Sequence, residues 1–366
     1  MPVQNHELSK DADAIVVGGG PAGSVCAAFL ARGGVRVTLL ERRKFPRDKV
    51  CGDCLNPAAW PVLETLGMAG AVDALPRTLL SGVEIIDQRG RSAVAPWQSK
   101  GRGEIAVKRS RLDEALLRRA RELGAEVRQE TLVTGCEREA DGGWRVTLPG
   151  GEILRAPWLI AADGRNSTVA RIAGRLPAAQ RDRVGLQTHL PAPAGFHDRV
   201  VLRLRPEGYA GYSRVGLEDL NLCLVGAPEG LPGLRAWAET EFGLPRDQPW
   251  QSIAPLARPD AEPARDRLLL IGDAARVVEP FTGEGIYYGM RSGQLAAESI
   301  LSGVPPEAAM DNYRQAHRAL YQGRLWVNRF SRLAVTNARI GQLAFEIVYR
   351  QPALLRYLTA KVVALG

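Results

Sequence analysis

The 366-residue chain is poor in cysteine and histidine, with Cys26, Cys51, Cys54, Cys136 and Cys223 and with His6, His189, His197 and His317. Cysteines so few and so scattered exclude a secreted disulfide scaffold. Cys26 reads as a small core residue of a helix. Cys51-Gly52-Asp53-Cys54 is the one CxxC pair, and no second CxxC or HxxxH accompanies it, so a zinc site lacks ligands and no metal is expected. That pair is left as either a redox dithiol or two loop thiols. No run approaches the ~18 to 20 consecutive apolar residues of a spanning helix, and the polar segment Met1 to Lys10 lacks the apolar core of a signal peptide. These absences predict a soluble, cytoplasmic protein with a short disordered leader. Acidic residues are in the minority, 40 against 48 Lys and Arg, for a net charge of +8. The basic residues are scattered and form no block interleaved with aromatics, which argues against nucleic acid as a partner. A basic surface can still attract anionic cofactors, acidic carrier proteins or lipid headgroups.

What the chain does have is 45% hydrophobic residues, enough for a sizeable core in two domains or in one interleaved unit. Near its start, Ala14-Ile15-Val16-Val17 reads as a buried strand, followed by Gly18-Gly19-Gly20-Pro21-Ala22-Gly23 and a helical stretch to Ala31. A second apolar strand, Val35 to Leu40, ends in Glu41, 23 residues past Gly18. Gly18, Gly20 and Gly23 fit the dinucleotide fingerprint, in which the backbone approaches a pyrophosphate and a helix N-terminus faces its charge. Pro21 and Ala22 open that helix, and Glu41 stands where a carboxylate accepts hydrogen bonds from an adenosine ribose, with Arg42 beside it. The fingerprint alone leaves the dinucleotide undefined.

Two later segments narrow it. Ala161-Ala162-Asp163-Gly164-Arg165 follows an apolar strand, and Ser167 or Thr168 can cap the helix behind it. Leu268-Leu269-Leu270-Ile271-Gly272-Asp273 places a carboxylate at the end of a buried strand, where open α/β sheets bind ligands. Beyond it, Pro280 to Ile286 contains Gly283, Glu284 and Gly285 at a helix start, whose amides can face a planar ring that gains negative charge on reduction. That environment suits the N1 and C2 carbonyl of a flavin. Between these segments, Glu41 to Asp53 is a charged loop, Pro57 to Leu66 has helical spacing, and Gly82 to Gln98 alternates like strands. Ser110 to Asp113 offers a capping box before Leu112, Ala115, Leu116, Ala120 and Leu123 on one helical face. Short strands are expected at 126–128, 144–148 and 158–162.

Taken together, the three segments resemble the FAD-dependent oxidoreductases of the para-hydroxybenzoate hydroxylase type. The stretch from Phe45-Pro46 to Lys49-Val50-Cys51-Gly52-Asp53, with Gly272-Asp273-Ala274-Ala275 and Pro280 to Gly293, looks like the geranylgeranyl reductase-like branch. The resemblance implies that Cys51 and Gly52 lie beside the flavin ring and that the loop from Pro280 to Gly285 lies against it. It also implies that Arg109, with Asp113 and Leu116, sits near the cofactor at a helix start, and that Asp163 and Gly164 serve FAD and NAD(P)H binding. The fold it implies is a Rossmann-like α/β FAD-binding domain (12–80, 101–175 and 262–302). This is interleaved with a smaller antiparallel sheet for substrate (81–100 and 176–261) and followed by a helical region (303–366).

The middle segment departs from the resemblance. Geranylgeranyl reductases carry there a motif of tyrosine, tryptophan and phenylalanine lining a lipid tunnel, whereas this chain has Gly208-Tyr209-Ala210-Gly211-Tyr212-Ser213-Arg214. Tyr209 and Tyr212 are then candidates to pack on an aromatic or polyketide-like substrate, or to pack within the sheet. The paired-tryptophan motif of tryptophan halogenases is absent. The tail, with Tyr313, Leu320, Leu325, Phe330, Leu333, Ile340, Leu343, Phe345 and Ile347 among its apolar positions, is expected to pack mainly onto the FAD domain, with a pocket cover, membrane-surface contact or subunit contact as the other readings. The chemistry expected is FAD-dependent oxidoreduction of a hydrophobic small molecule, which could be carrier-bound, and reduction of C=C bonds ranks first. Hydroxylation of an aromatic ring by a flavin monooxygenase is the alternative, and a non-catalytic flavin-binding assembly or sensor protein is a third. For the reductase, Cys51 is the candidate proton donor or substrate-positioning group. No second glycine fingerprint marks an NAD(P)H domain, so NADPH or NADH would dock transiently, or another redox protein would supply electrons.

Overall fold

The computed structural model describes residues 11–97, 102–179, 183–280, 283–323 and 325–363. The expected leader, and Phe281 and Thr282 of the helix-start loop, lie outside them. The apolar run Ala14–Val17 forms the middle of a six-stranded sheet, paired in parallel with Val37–Leu40 on one side and Trp158–Ala161 on the other. Glu126–Arg128 and Leu268–Leu270 extend it in parallel, and Ala264–Arg265 adds an antiparallel edge. The central strand is buried on both faces, which is why it reads as an unbroken apolar run.

Helix Pro21–Arg32 follows the glycine loop and packs on helix Gly285–Leu301. Their crossing is close: a side chain at Gly293 would come within 2.3 Å of the Ala22 carbonyl. Helix Arg109–Glu122 covers the same side of the sheet. It starts one residue ahead of the expected capping box, and no side chain caps it. Asp113 reaches back to Arg109 instead of to the backbone.

The second layer is a seven-stranded sheet. In spatial order its strands are Gln251–Ile253, Val184–Pro191, Asp219–Gly226, Gly208–Val215, Arg199–Arg205, Gly82–Ile86 and Ser92–Pro96. All pairs are antiparallel except Arg199–Arg205 with Gly82–Ile86. One face is covered by helix Leu231–Phe242, through a cluster that includes Leu220, Leu222, Leu224 and Leu234. Against the other lie the last three helices, Leu325–Thr336, Ala338–Arg350 and Pro352–Val363. Here Phe345, Val348 and Leu355 pack with Val83, Ala93, Ala95 and Leu202.

The tail therefore divides. Helix Pro306–Tyr321 packs onto the FAD-side helix Gly285–Leu301, with Tyr313 Oη donating to the Leu270 carbonyl at 2.8 Å. The three helices after it cover the other sheet, contrary to the expectation of packing onto the FAD domain. Their apolar spacing marks a buried face without saying which surface it meets.

Candidate functional site

The glycine loop is built by sterics at two positions. Gly18 has φ +107°, and a side chain there would strike the Ala162 carbonyl at 2.5 Å. One at Gly23 would stand 1.9 Å from the Gly18 carbonyl, so the first helical turn can close on the loop only if residue 23 is glycine. Gly20 is different: a Cβ there would meet nothing nearer than Arg47 Nη2 at 3.8 Å. The space beside Gly20 is a cradle facing the helix N-terminus. Glu41 ends its strand with Oε2 accepting from Gly19 N at 2.7 Å and Oε1 accepting from Arg43 N at 2.8 Å. Arg42 is exposed beside it.

Arg47, which sequence reasoning passed over within the charged loop, leans into that cradle. Its guanidinium lies 4.5 Å from the Phe45 ring centre, 3.3 Å from Asp113 and 3.8 Å from Glu41. Its Nη1 is buried without a hydrogen-bond partner. Asp113 is fully buried and bridges two arginines, since Arg109 donates to both its oxygens at 2.7 Å. An open backbone cradle, a helix N-terminus and the Arg47 guanidinium, whose Nη1 faces Asp113 while Nη2 lies toward Gly20, fit the pyrophosphate of a dinucleotide.

One continuous cavity runs from this loop to the second sheet. Pro21, Ala22, Cys51, Gly52, Arg109, Gly164, Gly272, Asp273, Pro280, Gly283, Gly285 and Ile286 line it, so the structure gathers these expected site residues along a single surface. At Gly52 a Cβ would meet nothing within 4 Å, and at Gly285 only Val278 at 3.9 Å, leaving backbone exposed to the cavity. Lys49 also lines it, its ammonium pKa pulled down to about 8 by burial and then by Arg109. Asp273 accepts from Arg165 Nη2 at 2.8 Å, and the signal for Arg165 was its place directly after Asp163-Gly164. Asp163 itself turns aside: it accepts from Thr168 N at 2.6 Å and Val169 N at 3.2 Å, while Ser167 caps the same short helix. Glu284 is buried behind the loop, where Tyr288 Oη donates to it at 3.2 Å.

The Cys51 loop is pinned to the second sheet. Gln187 Oε1 accepts from Cys51 N at 3.2 Å, and Asn221 Nδ2 donates to the Cys51 carbonyl at 2.8 Å. Asp53, held at φ +58°, accepts from Arg109 N at 3.2 Å and from Asn221 Nδ2 at 2.6 Å, and lies 2.7 Å from His189 Nε2. Gln187, His189 and Asn221 sit on strands more than a hundred residues away, and no local pattern announces them. Burial pushes the Cys51 thiol above its usual range, partly opposed by Arg109, so the sulfur is held as a neutral thiol. Cys223 Sγ approaches the Cys51 carbonyl at 3.4 Å, and all five cysteines are free. Among the described residues no cluster of His, Cys, Asp and Glu could hold a metal ion.

The period of two along Gly208–Val215 separates the two tyrosines. Tyr209, Gly211 and Ser213 share the cavity face. Tyr212 borders the cavity as well, but its ring packs on the other face, with Phe242 edge-on at 5.2 Å and Phe196 at 6.0 Å. Its ring is a core residue of the sheet. The cavity wall beyond Cys51 is apolar: Val83, Ile85, Val200, Leu202 and Leu204 with Trp97 and Tyr209, closed over by Phe330, Phe345, Val348, Leu355 and Leu358.

A glycine-loop nucleotide fold facing an antiparallel sheet across one cavity defines a flavoprotein of two interleaved layers. Residues 11–188 match the FAD binding domain family. The chain is 33% identical over 327 residues to the menaquinone reductase of Mycolicibacterium smegmatis, covering 81% of this chain and 78% of that protein. It is 28% identical over 332 residues to digeranylgeranylglycerophospholipid reductase 1 of Methanothermobacter thermautotrophicus, covering 81% and 79%. Among solved structures, a flavoprotein/dehydrogenase from Cytophaga hutchinsonii superposes with a TM-score of 0.79 at 22% identity, over 96% of this chain and 92% of that one, a likeness of fold. The chain belongs to the FAD-dependent oxidoreductases of the para-hydroxybenzoate hydroxylase type, in their geranylgeranyl reductase-like branch. It is an FAD-dependent enzyme. Among the described residues no helix is long and apolar enough to cross a membrane.

Proposed function

We propose that this enzyme reduces a C=C bond in a long apolar substrate, the observation carrying the reading being an apolar cavity, largely of branched aliphatic residues, shared with Cys51, Gly283 and Gly285. Bound FAD supplies hydride after reduction by NADPH, NADH or another redox protein. Gly20, Arg47 and the start of helix Pro21–Arg32 hold its pyrophosphate, Glu41 its ribose, and Asp273 with Gly283 and Gly285 the flavin portion. Asp163 and Glu284 act through their neighbours rather than by lining the cavity, and Arg42 stands at the surface beside Glu41. Cys51, a neutral thiol on a loop fastened at four points, positions the substrate against the ring. The large aromatics of the related lipid tunnel are missing at Gly208–Arg214, but branched aliphatics from neighbouring strands give an apolar chain an equivalent wall.

An apolar substrate has to be collected from somewhere, and the last three helices offer a surface for that. Trp326, Phe330, Leu333, Leu343, Ile347 and Tyr357 are exposed on them. From Gln322 onward the chain carries six Arg and one Lys against the single acid Glu346. Exposed apolar groups among cations suit peripheral contact with an anionic membrane surface.

The reading is tested by mixing anaerobically pre-reduced enzyme with polyprenyl lipids and following the flavin spectrum. Reoxidation by an unsaturated chain and none by its saturated counterpart is expected. If no unsaturated lipid reoxidises the flavin while phenolic substrates are hydroxylated in air, the monooxygenase reading replaces this one.

A further inference from the structure

One carboxyl group in the cavity wall has no part in the cofactor cradle or in anchoring the Cys51 loop. Glu104 stands at the entrance to strand Ile105–Val107, is 5% exposed, and lines the cavity beside Cys54 and Gly283. A Cβ on Gly283 would lie 3.7 Å from Glu104 Oε1 and 3.8 Å from the Cys54 Cβ, so the carboxyl oxygen faces the loop that opens helix Gly285–Leu301. The backbone around it is fixed: Trp60 Nε1 donates to the Gly103 carbonyl at 3.0 Å and Leu80 N donates to the Glu104 carbonyl at 2.9 Å.

The groups that face Glu104 are few. Glu284, at the start of the helix, is 1% exposed and held by Tyr288 Oη. Cys54, on the neighbouring strand, is a thiol raised well above its usual range by burial and then by Glu104 itself. Arg102, two residues before it in sequence, turns to the surface and pairs with Glu64 and Asp73, while Lys49 and Arg109 line the same cavity. Burial, and then repulsion from Glu284, push Glu104 up to about 8. Burial beside a second acid therefore keeps a proton on Glu104, inside the cavity, at neutral pH.

We propose that Glu104 is the acid of the reduction, donating its carboxyl proton to the substrate carbon that does not receive hydride. The inference rests on the reductase reading above. The π bond of the C=C group breaks as one carbon takes hydride from reduced FAD, which is oxidised. The neighbouring carbon takes H⁺ from the Glu104 carboxyl, leaving a carboxylate that recovers its proton from solvent. Electrons return from the external donor, NAD(P)H or a redox protein. Cys51 then positions the chain and is not the proton source.

The first test reads the proton itself. Infrared titration of the oxidised holoenzyme, with Glu104→Gln as the subtracted reference, should show a protonated carboxyl lost with a midpoint near pH 8, and Glu284→Gln should move that midpoint down. The second reads turnover: with a polyprenyl lipid, the single-turnover rate should fall as pH rises through about 8. Glu104→Gln should then lose on the order of 10²-fold or more, while keeping its FAD and its reduction by the donor. Glu104→Asp should keep the pH dependence at reduced rate, which separates loss of the acid from loss of the fold. A midpoint in the ordinary carboxylate range, or a Gln variant with the wild-type rate and pH profile, would overturn the assignment. A wild-type enzyme that carries the midpoint near 8 but saturates no C=C bond overturns the reductase reading, and this role with it.

Discussion

At the glycine-loop end of the cavity, contacts run through backbone amides and charge: Gly19 N on Glu41, and Arg109 and Arg47 on one buried Asp113. At the channel end the wall is made of Val83, Ile85, Val200, Leu202 and Leu204. An anion needs donors at fixed positions, and one displaced atom costs binding. An apolar chain needs a dry surface of the right width, which many side chains can supply. The first end should therefore fail sharply under small changes, and the second should fail by degrees.

The sharpest break is expected at Gly23. Gly23→Val puts a side chain where a Cβ already sits 1.9 Å from the Gly18 carbonyl, and it should give a protein without bound FAD, read as loss of the flavin absorbance after purification. Next comes Asp113→Ala, which leaves two arginines facing each other without their shared acid. Breaking such a buried pair costs ~3 to 5 kcal/mol, and urea unfolding should show it. On the channel side, Leu202→Trp should keep FAD and its reduction by the donor while raising KM for a long-chain substrate roughly tenfold, a loss of about 1.4 kcal/mol in binding. It should leave a short-chain substrate untouched, and a parallel loss of FAD would erase the distinction between the two ends. The smallest effect belongs to the exposed rim: Leu343→Ser with Ile347→Ser should reduce co-sedimentation with anionic vesicles several-fold without changing turnover on detergent-dispersed substrate.

The same contrast explains what was legible in the sequence. Gly18, Gly23 and Glu41 belong to one short strand–turn–helix–strand unit, in which residue 23 closes on the Gly18 carbonyl and Glu41 on Gly19 N, so the cofactor fold could be read from spacing. Asp113 was legible as a helix residue but not as the acid shared by two arginines, because Arg47 reaches it across the cleft. Asp53, Gln187, His189 and Asn221 meet only once two sheets are assembled, and each alone resembles an ordinary polar residue of a loop or strand. Tyr212 shows the limit from the other side. Its residue type suggested a ligand contact, and strand alternation turned its ring to the core. The last three helices showed an apolar face, but the sequence could not say which sheet would receive it.

The most direct test of the account is product analysis of one turnover, run in parallel without oxygen and under isotopically labelled oxygen gas, with pre-reduced enzyme and a polyprenyl lipid. The account predicts the same product in both vessels, heavier by two hydrogens per reduced double bond and free of label. A product formed only in the oxygenated vessel and carrying the label would contradict it and make the enzyme a monooxygenase.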